Sequence, residues 1–284
     1  MRVEGRASSV AYTPDSSKLA SGGKYLQLWD LQGFSLIRKY NGHGGSVCAV
    51  AVSPNGNVIA SGSTDSTIRL WRLDTAHCIQ VLEGHTVCAE IYSVAFNVDG
   101  RYLASGSFDD TIRIWDLNTY SCIKTLTDHA GSVATLAYSA DGRMLASGSW
   151  DKTICIYDVT TYAHLHTVIG HSDAIRSVTF SSDSTMLISG GNDRTIRRWD
   201  TTSMAQMQVW EGHSAMVSSV AVSPDNRYMV SGSWDGSVRV WERPPPNGNF
   251  HLNIIFISNP CLCSDLKITV NSSRLLHTFL SHVW

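Results

Sequence analysis

Charge is scarce in this chain. Asp, Glu, Lys and Arg make up 16% of its 284 residues, and 22 basic residues against 24 acidic ones leave a net charge of −2. A soluble domain usually carries about a quarter charged residues, and no basic stripe stands out. The composition therefore gives no reason to expect direct binding to nucleic acid or to an anionic membrane. Long hydrophobic runs are missing as well. The longest, around Ile254–Ile257, is far too short to cross a bilayer and is stopped by Asn259-Pro260. The first residues, Met1-Arg-Val-Glu-Gly-Arg6, lack the apolar stretch of a secretory signal, so a cytoplasmic and/or nuclear location is expected. Paired cysteine spacings are absent too. The seven cysteines are scattered and odd in number, which argues against a disulfide framework or a zinc site. They are expected to be small buried hydrophobes in a reducing compartment.

What the chain does have is a repeat. Trp29, Trp71, Trp115, Tyr157, Trp199 and Trp241 recur at spacings of 42, 44, 42, 42 and 42 residues. His43, His85, His129, His171 and His213 keep step at 42, 44, 42 and 42. Between each His and the next aromatic the grammar is constant. A short apolar run such as Ser93–Phe96 comes first, then a turn such as Ser53-Pro-Asn-Gly56, whose residue types suit a type I turn. A second run such as Leu145–Ser149 leads through a tight Asp-containing turn into a third, such as Thr111–Trp115. A fourth, such as Cys122–Leu126, completes the unit. Alternation with a period of two, broken by turn residues every 8–12 positions, reads as antiparallel strands.

Four short strands in about 42 residues is the make-up of a propeller blade. The stretches from Gly84-His85 to Trp115-Asp116 and from Gly170-His171 to Trp199-Asp200 follow a GH…WD pattern. The chain thus resembles the WD-repeat β-propeller family over roughly residues 7–243. The resemblance implies an all-β fold with six recognisable four-stranded blades. A seven-bladed relative with a degenerate or missing last blade is the alternative. Unit one is the weakest: Arg6 stands where a His belongs, and its second turn, Ser21–Tyr25, is two residues short and lacks the Asp. Unit three has two extra residues within Thr86–Glu90.

The expected division is a propeller over 1–243, followed over 244–284 by a Pro-rich linker, an outer strand for blade six at Phe250–Ile257, and a tail. After Gly248 no glycine and no further GH or WD signature occurs.

Five units carry His, Ser, Asp and an aromatic in fixed order: His43-Ser61-Asp65-Trp71, His85-Ser105-Asp109-Trp115, His129-Ser147-Asp151-Tyr157, His171-Ser189-Asp193-Trp199 and His213-Ser231-Asp235-Trp241. Ser, His and Asp together suggest a hydrolase triad. Repetition argues against it, because a catalytic site needs one nucleophile in one cleft. The resemblance implies instead a structural tetrad, in which the indole donates to Ser, Ser to His and His to Asp. Tyr157 departs from it, its hydroxyl lying further out than an indole N–H. No metal site follows from His residues spread over separate blades. No cofactor is expected either, since Gly22-Gly23 and Gly190-Gly191 precede no helix that could form a phosphate loop.

The expected function is a non-enzymatic scaffold that presents one loop face to partner proteins within a larger complex. The resemblance also implies where partners touch: the residue before the tetrad Asp, and those three and five after the His. Carried over, the partner-binding candidates are Glu90, Tyr92, Phe108, Trp150, Arg176, Asn192, Met216 and Trp234. Aromatic and Arg side chains at exposed turns are what interface hot spots favour. One alternative is a substrate-recognition subunit of a ubiquitin ligase. Members of that kind carry a basic residue two places after the WD Asp, where this chain has Gln32, Asp74, Asn118, Thr160, Thr202 and Pro244. A module attached to an enzyme activity carried elsewhere is the other.

Overall fold

A computed structural model describes residues 7–243 and, for the backbone, 251–257. These residues form 24 strands and no helix. Blade one comprises β1 (Ser9–Tyr12), β2 (Lys18–Gly22), β3 (Leu26–Asp30) and β4 (Ser35–Tyr40). Blade two comprises β5 (Val47–Val52), β6 (Val58–Ser63), β7 (Ile68–Arg72) and β8 (Cys78–Leu82). Blade three has β9 (Ile91–Phe96), β10 (Tyr102–Ser107), β11 (Ile112–Asp116) and β12 (Ser121–Leu126), and blade four has β13 (Val133–Tyr138), β14 (Met144–Ser149), β15 (Thr153–Asp158) and β16 (His164–Ile169). Blade five has β17 (Ile175–Phe180), β18 (Met186–Gly191), β19 (Ile196–Asp200) and β20 (Gln206–Trp210). Blade six has β21 (Val217–Val222), β22 (Tyr228–Ser233), β23 (Ser237–Glu242) and β24 (His251–Ile257). Each sheet holds its four strands in sequence order, so the fold is a six-bladed β-propeller. The tail expected after residue 257 lies outside the described residues.

In blades two to five all three turns end on a residue in the left-handed region, as do the first two of blade six. In the first turn it is Gly56, Gly100, Gly142, Ser184 or Asn226; in the second, Ser66, Asp110, Lys152, Arg194 or Gly236; in the third, Ala76, Tyr120, Tyr162 or Met204. This conformation lets a short loop match the twist of the strands it joins. It also explains why Gly serves at some of these positions without being required at all of them.

The chain falls into two compact units, one up to Tyr138 and one from Ser139. In the first, β1 packs on β5, β5 on β9 and β9 on β13. The core lies between consecutive blades: Ala20, Leu26 and Leu28 of blade one meet Val47, Ile59 and Trp71 of blade two. Close approach depends on the Gly of each Ser-Gly pair in the second strand. A Cβ on Gly62 would lie 2.5 Å from Ile91 Cγ2, and one on Gly106 would lie 2.7 Å from Val133 Cγ1. In the second unit β17 packs on β21. There Met186, Ile188, Ile196 and Trp210 of blade five meet Val217, Val220, Met229 and Trp241 of blade six.

Hydroxyls stitch the innermost strands together. Ser9 Oγ accepts from Val50 N–H at 3.1 Å, Ser93 Oγ from Leu136 N–H at 3.0 Å, and Ser177 Oγ from Val220 N–H at 3.1 Å. Among the described residues the expectation that the cysteines are buried holds only for Cys155; Cys261 and Cys263 lie outside them. Cys88 is exposed, and Cys48, Cys78 and Cys122 are partly so. Cys78 and Cys122 sit on fourth strands, which cover the core from one side only.

Candidate functional site

The third strand of every blade carries a register shift just before its aromatic residue. In blade two Leu70 faces Gln80 and Trp71 faces Cys78, so Ile79 is passed over. The same shift precedes Trp29, Trp115, Tyr157, Trp199 and Trp241. A bulge re-aims a side chain, and here the aromatic turns inward, toward the second strand.

The indole N–H of Trp71 donates to Ser61 Oγ at 2.8 Å. Ser61 Oγ lies 2.7 Å from His43 Nε2, and His43 Nδ1 lies 2.9 Å from Asp65 Oδ2. Blade three gives 2.9, 2.7 and 2.8 Å for Trp115–Ser105, Ser105–His85 and His85–Asp109. Blade five gives the same values for Trp199–Ser189, Ser189–His171 and His171–Asp193. Blade six gives 3.0, 2.8 and 2.8 Å for Trp241–Ser231, Ser231–His213 and His213–Asp235.

In blade four, His129 belongs to the first unit and is buried; Ser147, Asp151 and Tyr157 belong to the second. There Ser147 Oγ donates to the Cys155 carbonyl at 3.4 Å, and the buried Tyr157 ring lies edge-on to His164 at 5.7 Å. Blade one retains the first link alone, Trp29 Nε1 to Ser21 Oγ at 2.9 Å.

A fifth group joins each Asp. The hydroxyl two positions later donates to Asp Oδ1: Thr67 at 2.7 Å, Thr111 at 2.7 Å, Thr153 at 2.6 Å, Thr195 at 2.8 Å and Ser237 at 2.6 Å. The backbone N–H after the His donates to the other oxygen, as from Gly44 to Asp65 at 2.8 Å and from Thr86 to Asp109 at 3.0 Å. The sequence signal for this fifth member is plain, a hydroxyl residue two after every tetrad Asp, yet tetrad reasoning passes over it. Burial works against ionisation of Asp65, but the hydrogen bonds from Thr67 and His43 outweigh it and hold the carboxyl at about 2. The carboxyls of Asp109, Asp193 and Asp235 are likewise held below the ordinary range. Burial pushes His43 and His213 below the ordinary imidazole value despite their Asp partners, which favours the neutral ring. Neutral His accepts at Nε2 and donates from Nδ1. Polar groups that would be costly to bury alone thus satisfy one another. Ser61, Ser105, Ser147, Ser189 and Ser231 are 0% exposed, so no substrate reaches their hydroxyls.

In blades two, three, five and six the turn before the tetrad Asp is tied to the connection that enters the blade. Thr64 N–H donates to the Ser46 carbonyl at 2.9 Å, Phe108 to Glu90 at 2.9 Å, Asn192 to Ala174 at 2.8 Å and Trp234 to Met216 at 3.1 Å. This bond settles the alignment across the insertion in unit three: Glu90 takes the place of Ser46, Ala174 and Met216.

Two side-chain clusters result, one in each unit. In the first, Tyr92 and Phe108 meet edge to face at 6.4 Å, with Phe108 50% exposed. Glu90 lies close enough to add to burial in pushing the Cys48 thiol up to about 11. In the second, the Arg176 guanidinium lies 4.8 Å from the centre of the Trp150 ring, and Arg176 Nε donates to Asn192 Oδ1 at 2.8 Å. Trp234 is 60% exposed beside Met216. Among the described residues no three His, Cys, Asp or Glu side chains come together as a metal would need.

Comparison with known proteins adds a family and some relatives. The family described as the second β-propeller of echinoderm microtubule-associated protein matches residues 47–209, and the WD domain, G-beta repeat, matches 204–242. Eukaryotic translation initiation factor 3 subunit I of Aspergillus niger is 40% identical over 63 residues, 22% of this chain and 18% of that protein. The subunit I of Pyricularia oryzae is 30% identical over 84 residues, 29% of this chain and 25% of that protein. Small ribosomal subunit protein RACK1y of Oryza sativa subsp. japonica is 35% identical over 92 residues, 30% of this chain and 27% of that protein. The matched stretches thus span between 18% and 27% of these relatives' own length.

Proposed function

Because the chain belongs to the WD-repeat β-propeller family, matching its echinoderm microtubule-associated protein group over more than half its length, we propose that it is a non-enzymatic scaffold whose turns dock partner proteins. The observation that carries this reading is the Trp150–Arg176–Asn192 arrangement. A guanidinium stacked on an indole and fixed from the side by an amide is largely ordered before any partner arrives. An ordered anchor loses little side-chain entropy on binding, which is where preformed sites gain affinity. Trp234 adds an exposed aromatic at the equivalent turn of blade six, and Tyr92 with Phe108 gives the first unit an aromatic patch of its own.

Membership of a larger complex is supported by the relatives, whose names are those of subunits of an initiation factor and of a ribosomal subunit. Both names belong to translation, which favours the cytoplasm over the nucleus. The partners inferred are proteins or peptide segments rather than nucleic acid or membrane, in keeping with the near-neutral charge. The absence of catalysis is supported by five Ser–His–Asp sets whose hydroxyls are all buried. We place the propeller domain at 1–243, completed by the outer strand at 251–257.

The test pairs two measurements on Trp150→Ala and Trp234→Ala: thermal midpoint, and quantitative recovery of whichever partners the wild-type chain retains. Truncated hot-spot anchors cost about 2 kcal/mol or more in binding, so recovery is expected to fall at least tenfold with the midpoint kept. Full recovery by the double variant refutes the site.

A further inference from the structure

In blades two to six the second turn ends on a left-handed residue directly after the tetrad Asp. In the second unit two of these are Lys152 at φ 75° and Arg194 at φ 66°, both exposed. In the first unit the same place holds Ser66 and Asp110. A left-handed backbone favours Gly, Asn or Asp and offers a long cationic side chain no local advantage. Gly236 fills the place in blade six. Local conformation therefore does not account for the two cations.

Ion pairing does not account for them either. Asp193, the carboxylate of the same turn, accepts from His171, Ser172 and Thr195, and its nearest guanidinium is Arg197 at 3.6 Å rather than Arg194. Asp151 accepts from Thr153 through both N–H and hydroxyl. Neither Lys152 nor Arg194 makes a salt bridge among the described residues. Lys152 stands two places after Trp150, and Arg194 two places after Asn192, the two residues that hold Arg176. The other carboxylates on the connections entering blades five and six are Asp173, which caps the Ala174 N–H at 2.7 Å, and the exposed Glu211, next to the outer strand β20. Two exposed cations thus stand two places after the residues that hold Arg176, on turns whose own carboxylates already accept from the following Thr.

We propose that these turns of the second unit bind an acidic protein segment. Its carboxylates pair with Lys152, Arg176 and Arg194, and an apolar side chain lies on Trp150. Guanidinium–carboxylate pairs are the stronger of these contacts, because the planar fork can make two bonds at once. The charge also sets specificity, since a basic segment meets repulsion at all three positions. The inference rests on the docking reading above and names the chemistry of the partner.

The test uses the full chain and a fluorescein-labelled dodecapeptide of Glu and Asp with one central Leu, followed by fluorescence anisotropy. Binding is expected, and raising salt from about 0.05 to 0.3 M should weaken it markedly, because exposed charges are screened. The Lys152→Glu/Arg194→Glu double variant should weaken it at least tenfold with an unchanged thermal midpoint, and Asp110→Lys in the first unit should leave it as it was. Unchanged affinity in the double variant, or tighter binding of a Lys dodecapeptide, overturns the inference. Equal displacement by a single-stranded oligonucleotide overturns it too, by assigning the turns to polyanions at large. If no acidic peptide binds while Trp150→Ala/Trp234→Ala still loses its retained partners, the acidic preference falls and the docking reading stands. If the tryptophan variants also keep every partner, both fall.

Discussion

Gly62 and Ile91 lie so close, across consecutive blades, that a Cβ on Gly62 would sit 2.5 Å from Ile91 Cγ2 and 3.3 Å from the Ile91 carbonyl oxygen. Rotation about χ1 would swing Cγ2 aside but leave the Ile91 Cβ, itself 2.9 Å away, in place. Gly62→Ala is therefore expected to destabilise the protein by about 1–3 kcal/mol, the usual range for an overpacked core. Ile91→Ala removes the contacted atom. Combined with Gly62→Ala it should cost less than the two changes summed, since neighbours in contact are not additive. Urea unfolding of the two single variants and the double variant measures the coupling; strict additivity would mean that the contact carries no strain.

The network around Asp109 yields a graded prediction. His85→Ala takes one partner each from Ser105 and Asp109 and should cost about 1–3 kcal/mol. Thr111→Val removes one of several donors to Asp109 and should cost about 1 kcal/mol. Thr111→Ser keeps the hydroxyl and should be close to neutral. Chemical denaturation that ranks Thr111→Val with Thr111→Ser would show that the fifth hydroxyl contributes nothing.

Acid should weaken the fold in two stages. Burial lowers the proton affinity of His43 and His213 in the folded state. The unfolded chain therefore takes up protons first as pH falls through about 6.5, the ordinary imidazole value, and stability drops. The contribution is fully present above that value. Asp65, held at about 2, gives a second loss of the same sign: the unfolded carboxyl protonates near pH 4, and stability declines from there until pH passes through about 2. The slope of unfolding free energy against pH, measured from pH 8 to 2, should be positive in both windows. A flat profile between pH 8 and 5 would count against neutral buried imidazoles.

Most of the fold was legible because the repeat fixes it. The six aromatic positions, from Trp29 to Trp241, count the blades, and the Ser, Asp and Gly punctuation marks the turns. Less legible were features that depend on three-dimensional approach. The register shift before each aromatic leaves no mark on a period-two pattern, because it consists of a residue, Ile79 in blade two, that simply has no opposite number. The Gly in Ser-Gly reads as part of a strand until Ile91 or Val133 is seen against it. Of the turn residues, Trp150, Arg176 and Asn192 could each be named from their positions, but not their mutual contact, since they come from two different blades. Lys152 and Arg194 follow the Asp, whereas the family pattern points to the residue before it. Cys78 and Cys122 escape the burial usual for small apolar residues because they lie on outer strands.

Each Ser–His–Asp network closes within one sequence repeat. His43, Ser61, Asp65, Thr67 and Trp71 all lie inside a 29-residue stretch, and the links from Trp71 to Asp65 never leave it. In the first unit consecutive blades meet through the apolar core between them, the fit of a glycine against a branched residue and the bond from an inner-strand hydroxyl. A segment copied in register from one His to the next would therefore bring its polar lock intact and meet its neighbours through surfaces already shaped for one another. Such an architecture can lengthen by duplication without inventing new interactions, and the side chains at the turn tips are left to diverge independently, blade by blade.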